Sequence, residues 1–226
     1  MTIPRHWLDS YPAGVPADIN PLQIPSVVHL AEESFTRFAD RVAFVQMGRN
    51  ITYRELDMQT RAFGAWLQQH TGFKRGGRVA IMMPNLLQYP IALFGVLRAG
   101  GTVVNTNPLY TARELEHQLK DSGAETVVIL ENFAHVLQEV IGRTQVKHVV
   151  VTSVGELLGF PKSAIVDFVV RTVRKQVPAW SLPGHHRFLD VLAVGARHTL
   201  QQIDLGHDDL AFLQYTGGTT GVSKGA

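Results

Sequence analysis

The residues best suited to chemistry form one uninterrupted stretch, Tyr215-Thr216-Gly217-Gly218-Thr219-Thr220-Gly221-Val222-Ser223-Lys224-Gly225-Ala226. Four glycines let the backbone aim several N–H groups at one point, four hydroxyl side chains add donors, and Lys224 adds a full positive charge. Such a donor set suits many negative oxygens held close together, as in a polyphosphate. An ammonium about 4 Å from a phosphate oxygen contributes roughly 4 kcal/mol at an effective dielectric of 20, before its own desolvation is counted. The order of residues sets this loop apart from the other nucleotide loops. A Walker loop needs Gly-Lys-Ser/Thr, whereas Lys224 follows Ser223 and precedes Gly225, and no GxGxxG occurs. A plain glycine/threonine linker would not be expected directly after the apolar run Leu210 to Tyr215.

A second candidate is a surface element. Ser163 to Val177 sorts as a helix with Ile165, Val166, Val169, Val170, Val173 and Val177 on one side and Asp167, Arg171, Arg174 and Lys175 on the other, with Lys162 just before it. Lys162, Ile165, Val169, Arg171, Val173, Arg174 and Lys175 are the residues expected to meet an anionic membrane surface, to which about three net charges would bring on the order of 3 kcal/mol. Packing of the valines on the core is the competing reading. Other groups carry less. The ten histidines include no HExxH, and His185-His186 lacks a partner at ligand spacing, so no metal site is expected. Asp204, Asp208 and Asp209 suit a solvated turn, Phe63 and Trp66 suit a helix buried in the core, and Glu32-Glu33 and Glu114 to Glu116 suit helix ends and faces.

The elements that must position the glycine-rich stretch are well punctuated. Pro4, Pro12, Pro16, Pro21 and Pro25 make residues 1–25 an extended arm. Ser26 caps a helix over Val27 to Phe38 with Val27, Leu30, Ala31, Phe35 and Phe38 on one face, and a short hairpin, Val42 to Gln46 and Asn50 to Tyr53, turns at Gly48. Thr52 with Glu55 and Thr111 with Glu114 read as capping boxes, and Asn85 with Gln88 as a third. The helices they open run to about His70, Asp121 and Ala99. Arg78 to Met83, Thr102 to Asn105, Thr126 to Leu130 and Lys147 to Ser153 are compact apolar strands, with a further helix over Asn132 to Gly142. Apolar strands joined by helices predict an α/β fold, a mostly parallel sheet flanked by helices on both faces. The expected organisation is an arm (1–25), an α/β subdomain (26–153), an insertion carrying the amphipathic helix (154–205), and a second subdomain starting at 206 and ending in the loop.

Composition narrows the class of function. With 226 residues and 45% hydrophobic content the chain can bury a large core. It contains no cysteine, so disulfides and a cysteine nucleophile are excluded, and any thiol must come from a cofactor. A net charge of +2, with lysine and arginine scattered, argues against nucleic acid as a partner. Neither a signal peptide nor a spanning segment is indicated, so a cytoplasmic location is expected.

The loop resembles the phosphate-binding signature of the adenylate-forming superfamily, T-S/G-G-T-T-G-x-x-K-G, at every fixed position. Asn105 to Leu119, Pro84-Asn85 and Ala99-Gly100-Gly101 are also similar to acyl-CoA ligases, and with the Tyr-Thr-Gly-Gly form of the loop the likeness is to bacterial long-chain fatty acid–CoA ligases, from about Ser26 onward. The resemblance implies two half-reactions: a fatty acid carboxylate attacks the α-phosphate of Mg2+-bound ATP to give acyl-adenylate and pyrophosphate, and the thiol of coenzyme A then displaces AMP. It implies that Tyr215 to Ala226 bind the ATP phosphates, Thr216 to Gly221 at the β- and γ-phosphates and Lys224 as the neutralising charge. It also implies homodimers. The remaining catalytic parts of such enzymes come later in the chain than this loop, so the 226 residues alone are expected to lack adenylation activity and to bind ATP weakly or not at all. Other adenylate formers, such as aryl-CoA ligases, luciferase-like enzymes and adenylation domains, share the signature, and a non-catalytic binding or dimerisation module is the reading from another class.

Overall fold

A computed structural model describes residues 4–216 and 223–226. Nine strands and seven α-helices are defined among them: β1 (Val42–Gln46), β2 (Arg49–Thr52), β3 (Arg78–Met82), β4 (Thr102–Asn105), β5 (Thr126–Leu130), β6 (His148–Thr152), β7 (His186–Arg187), β8 (Phe212–Thr216) and β9 (Lys224–Gly225), with α1 (Val27–Arg37), α2 (Tyr53–His70), α3 (Gln88–Arg98), α4 (Ala112–Ser122), α5 (Ala134–Val140), α6 (Lys162–Phe168) and α7 (Phe188–Gly195). Seven strands form one sheet in the order β7-β6-β5-β3-β4-β8-β9, parallel except for β9, and β1 and β2 form a separate hairpin.

The period-two alternation of each central strand divides the core. Val79, Ile81, Val103, Val128 and Val150 face α1, α2, α3 and α7, whereas Ala80, Met82, Val104, Val127, Ile129, Val149 and Val151 face α4 and α5. Both faces are therefore covered, which is why the strands read as continuous apolar runs. Close helix contacts are made at glycines: a Cβ on Gly195 of α7 would clash with the Ala62 carbonyl of α2. Arg98, almost fully buried at the end of α3, donates to Asp57 (2.7 Å) and Thr60 (2.7 Å) on α2 and lies 2.9 Å from Glu32 on α1, tying three helices together.

Local signals account for most boundaries. Both capping boxes close as reciprocal bonds, the Thr52 and Thr111 hydroxyls accepting from the N–H of Glu55 and Glu114, whose carboxylates accept from the threonine N–H groups at 2.8 Å. Gly123 ends α4 at φ +64°, and the β1–β2 turn puts Met47 and Gly48 at φ +47° and +78°, the left-handed pair that a two-residue hairpin requires.

Elsewhere the structure departs from the sequence expectation. Asn85 and Gln88 form no capping box. Helix α3 starts at Gln88, whose buried amide instead donates to Thr152 Oγ1 and the Ser153 carbonyl (both 2.9 Å), while the Leu87 N–H is taken by Gln46 from the hairpin (2.9 Å). On α1, Ala31 and Phe35 are buried but Val27 and Leu30 are exposed, because the helix packs along the neighbouring stripe through Val28. Segment 154–205 is woven into the body, β7 extending the sheet beyond β6 and α7 packing on α2. The last segment joins the same sheet too, since β8 pairs in parallel with β4.

The expected helix over Ser163 to Val177 is shorter and turned. Helix α6 passes at Val169–Val173 into a wide turn in which the Arg174 N–H donates to the Val169 carbonyl, and Lys175 then takes a positive φ. The faces also differ from the expected assignment. Asp167 accepts from Ser153 Oγ and the Gly155 N–H, and Arg171 pairs with Glu131 at 2.9 Å, so these two charges face the body. Lys162 donates to the Met47 carbonyl, and Val166, Val169, Val170 and Val177 are half-buried. Of the residues expected to face outward, Ile165, Val173, Arg174 and Lys175 are exposed, and Phe160 and Phe168, which were not in that set, are exposed as well.

Candidate active site

Adjacent strands β3 and β4 send their connections to opposite faces, β3 to α3 and β4 to α4. Such a reversal opens a crevice at the carboxyl ends of the strands. A cleft of about 310 Å3 lies there, lined by Met83, Asn85, Tyr89, Asn105, Thr106, Asn107, Tyr110, Gln214 and Tyr215 around Ile81. Its polar wall is a relay of side chains: Tyr89 donates to Asn105 Oδ1 (2.8 Å), and Asn105 Nδ2 donates to Gln214 Oε1 (3.0 Å). Burial pushes the Tyr89 phenol above its ordinary pKa, which keeps it a donor. No carboxylate lines the cleft among the described residues.

The glycine-rich stretch begins on the rim of this crevice. Strand β8 carries Gln214, Tyr215 and Thr216 up beside β4, and the chain returns as β9, antiparallel, with Tyr215 opposite Gly225 and Thr216 opposite Lys224. The Gln214 N–H donates to the Ala226 carbonyl (2.9 Å) and the Ala226 N–H to the Gln214 carbonyl (3.0 Å). Thr216 and Lys224 thus stand side by side at the rim, both exposed. Gly217, Gly218, Thr219, Thr220, Gly221 and Val222 lie outside the described residues.

Helix α4 braces both ends of the stretch from one face. Tyr215 donates its hydroxyl to Asp121 Oδ2 at 2.6 Å, and His117 Nε2 sits 3.0 Å from the Ser223 carbonyl, which accepts a hydrogen bond when the ring carries its proton there. Gln118 holds the crevice floor by donating to the Asn105 carbonyl (2.9 Å). Burial, reinforced by the Asp121 carboxylate, raises the Tyr215 pKa. The Tyr215 hydroxyl is therefore committed to α4 and not free for a phosphate. Gly225 is fixed by packing, since a Cβ there would come within 3.0 Å of the Tyr215 ring. Among the described residues of the stretch, the exposed side-chain donors are those of Thr216 and Lys224.

Sequence reasoning missed the brace. His117, Gln118 and Asp121 follow the Thr111/Glu114 box at helical spacing, and that spacing was the available signal that they share one face. Of the three aspartates before β8, Asp208 and Asp209 lie in a turn, with Asp209 accepting from Arg75 (2.8 and 2.7 Å) and from the Gly206 N–H (2.8 Å), while Asp204 precedes the turn. His185 and His186 take part in aromatic contacts with Trp180 and Trp66.

The match that decides the family covers residues 31–226, with the family described as AMP-binding enzyme. The chain belongs to the AMP-binding enzyme family. It is 54% identical over 220 residues to the long-chain-fatty-acid–CoA ligase of Salmonella typhimurium and 48% identical over 220 residues to that of Haemophilus influenzae, in each case over 97% of this chain and 39% of the relative. It thus spans about two fifths of the length of these relatives. The anthranilate CoA ligase AuaEII, solved with anthranoyl-AMP, superposes with a TM-score of 0.72 at 20% identity, covering 91% of this chain and 35% of that one. At that identity the superposition speaks to the fold alone: a parallel sheet flanked by helices, as in other AMP-binding enzymes.

Proposed function

We propose that this chain supplies the phosphate-gripping part of an AMP-forming long-chain fatty acid–CoA ligase. The observation that carries the reading is the hairpin of β8 and β9, which sets Thr216 and Lys224 together on the rim of the switch-point crevice. The named activity of the 54%-identical relatives supports it. In the first half-reaction a carboxylate oxygen attacks the α-phosphorus of ATP and the bond to pyrophosphate breaks. Charge then gathers on the leaving phosphates, where a pre-set ammonium and hydroxyls stabilise it. In the second, the coenzyme A thiol displaces AMP from the acyl-adenylate. The fatty acid, ATP and coenzyme A are the substrates of this scheme. Among the described residues no group of three or more histidine, aspartate or glutamate side chains could hold a metal, and none of the crevice-lining side chains is a carboxylate. These residues do not fit a Mg2+ site, and no step is assigned to the ion.

Pyrophosphate exchange with ATP and palmitate tests the assignment, run on this chain and on a protein spanning the full length of its relatives. Exchange by the long form and none by the short one is expected. Lys224→Ala, at an exposed position, should lower exchange by the long form on the order of a hundredfold. Full exchange by the variant would remove Lys224 from the mechanism.

A second reading concerns location. Phe160, Ile165, Phe168 and Val173 form an exposed apolar patch next to Arg174 and Lys175, and this favours reversible contact with the anionic inner face of the cell membrane. No helix among the described residues is long and apolar enough to cross a bilayer. Homodimer formation enters the proposal from the family resemblance, and a cytoplasmic location is carried over as the expectation from the sequence.

A further inference from the structure

Two clefts meet at the opposite end of the sheet, below the starts of the strands. One, of about 480 Å3, has an apolar wall that includes Ile24, Val27, Leu30, Leu97, Leu205 and Leu210. The other, of about 500 Å3, is polar and runs past the first residues of β3, β5 and β6, with Lys74, Arg78, Lys147 and His148 in its wall. Gly76 and Arg78 line both, so one guanidinium stands at the junction.

The charges there do not cancel. Lys147 pairs with Glu125 at 2.7 Å, and Asp209, the carboxylate of the apolar cleft, is held by Arg75. Burial and the neighbouring His186 keep His148 below its ordinary pKa, so at neutral pH it is a hydrogen-bonding group and not a cation. Among the described residues neither Lys74 nor Arg78 has a carboxylate within ion-pair distance, and residues 1–3 and 217–222 contain no acidic side chain. Arg78 does donate to the Ser122 carbonyl, which fixes its guanidinium across the junction. An apolar wall alone would suit any hydrophobic segment. Two unmatched cations at its end call for a negative head on the apolar body.

We propose that the joined clefts bind a single-chain lipid anion, its chain along the Val27 and Leu30 wall and its carboxylate or phosphate head at Arg78 and Lys74. The site lies at the far end of the strands from the crevice and does not depend on the ligase assignment. Arginine accepts a planar or tetrahedral oxyanion through two parallel N–H groups, and lysine adds a mobile charge beside it. A chain without the negative head, or a head with a short chain, would use only half of the site.

The test is a titration of this chain with carboxyl-13C palmitate, followed by the carboxyl resonance, with hexadecyl phosphate, hexadecanol and octanoate as competitors. One saturable palmitate site is expected, displaced by hexadecyl phosphate but by neither hexadecanol nor octanoate at equal concentration. The tighter of palmitate and hexadecyl phosphate identifies the preferred head. Lys74→Glu and, separately, Leu30→Asp change exposed side chains and should each weaken binding at least tenfold with an unaltered thermal midpoint, whereas Lys224→Ala should leave it unchanged. Non-saturable binding, equal displacement by hexadecanol, sensitivity to Lys224→Ala, or indifference to both cleft variants would overturn the proposal.

Discussion

One hydroxyl holds the entry to the glycine-rich loop. Tyr215 is buried, yet its oxygen reaches Asp121 at 2.6 Å. Tyr215→Phe keeps the ring against Gly225 and removes only that bond, so its effect isolates the brace. A loss of about 1.5 kcal/mol in urea unfolding is expected, at the low end for a bond to a charged group because Asp121 is exposed and regains water. An unchanged unfolding midpoint would show that ring packing alone seats β8. At this scale the sequence discloses the donors but not their supports. Gly217 to Lys224 announce their chemistry by residue type, whereas the partners of Tyr215 and Ser223 come from α4, 94 and 106 residues earlier. Nothing in local spacing links such distant positions.

Elements were legible where backbone chemistry is local. The Thr52/Glu55 and Thr111/Glu114 boxes were readable because each satisfies its own orphan N–H groups within four residues. Asn85 and Gln88 have the same spacing, and there tertiary structure prevails: the Gln88 amide is worth more buried against Thr152 and Ser153 than at a helix end. The shift of face along α6 was hidden for a related reason, since tertiary partners draw its charges inward, Asp167 to Ser153 and Gly155 and Arg171 to Glu131. The box at α2 also carries a pH signature. Bonding from the Thr52 N–H, with help from Arg49 and against a smaller effect of burial, holds the Glu55 carboxyl below its usual 4.5. A depressed carboxyl stabilises the fold above its unfolded value, and that contribution is lost as pH falls through the lower folded value. Glu55→Gln should therefore flatten the decline of stability below about pH 4.5 and cost about 1 kcal/mol at pH 7. Urea melts over a pH series will measure both, and an acid slope identical to that of the unaltered chain would contradict the linkage.

At the scale of the whole molecule, an α/β body was foreseen, but its continuity was not. Segments 154–205 and 206–226 read as separate pieces because Pro161, Pro178 and Pro183 interrupt the strand–helix rhythm. The folded chain brings both back, β7 to one side of the sheet and β8 to the other. The outward patch at Phe160, Ile165 and Phe168 is likewise a property of the assembled surface. If it meets lipid, Ile165→Asp with Phe168→Asp should abolish co-sedimentation with phosphatidylserine-containing vesicles. Val169→Asp, at a half-buried position, should act mainly by unfolding. Arg174 and Lys175 together would add about 2 kcal/mol near an anionic surface, an attraction that salt should weaken. Equal sedimentation of the double variant would eliminate lipid contact at this patch.

The place of β8 has a kinetic corollary. Thr102 Oγ1 donates to the Leu210 carbonyl across a sequence separation of 108, so β8 can dock only after a long closure whose entropy is spent before any contact is gained. Neighbours such as β3 and β4 meet across a single helix and should form first. A chain caught midway through renaturation would then display much of its helical signal while β8 has yet to join β4, and that pairing would return in the slowest phase.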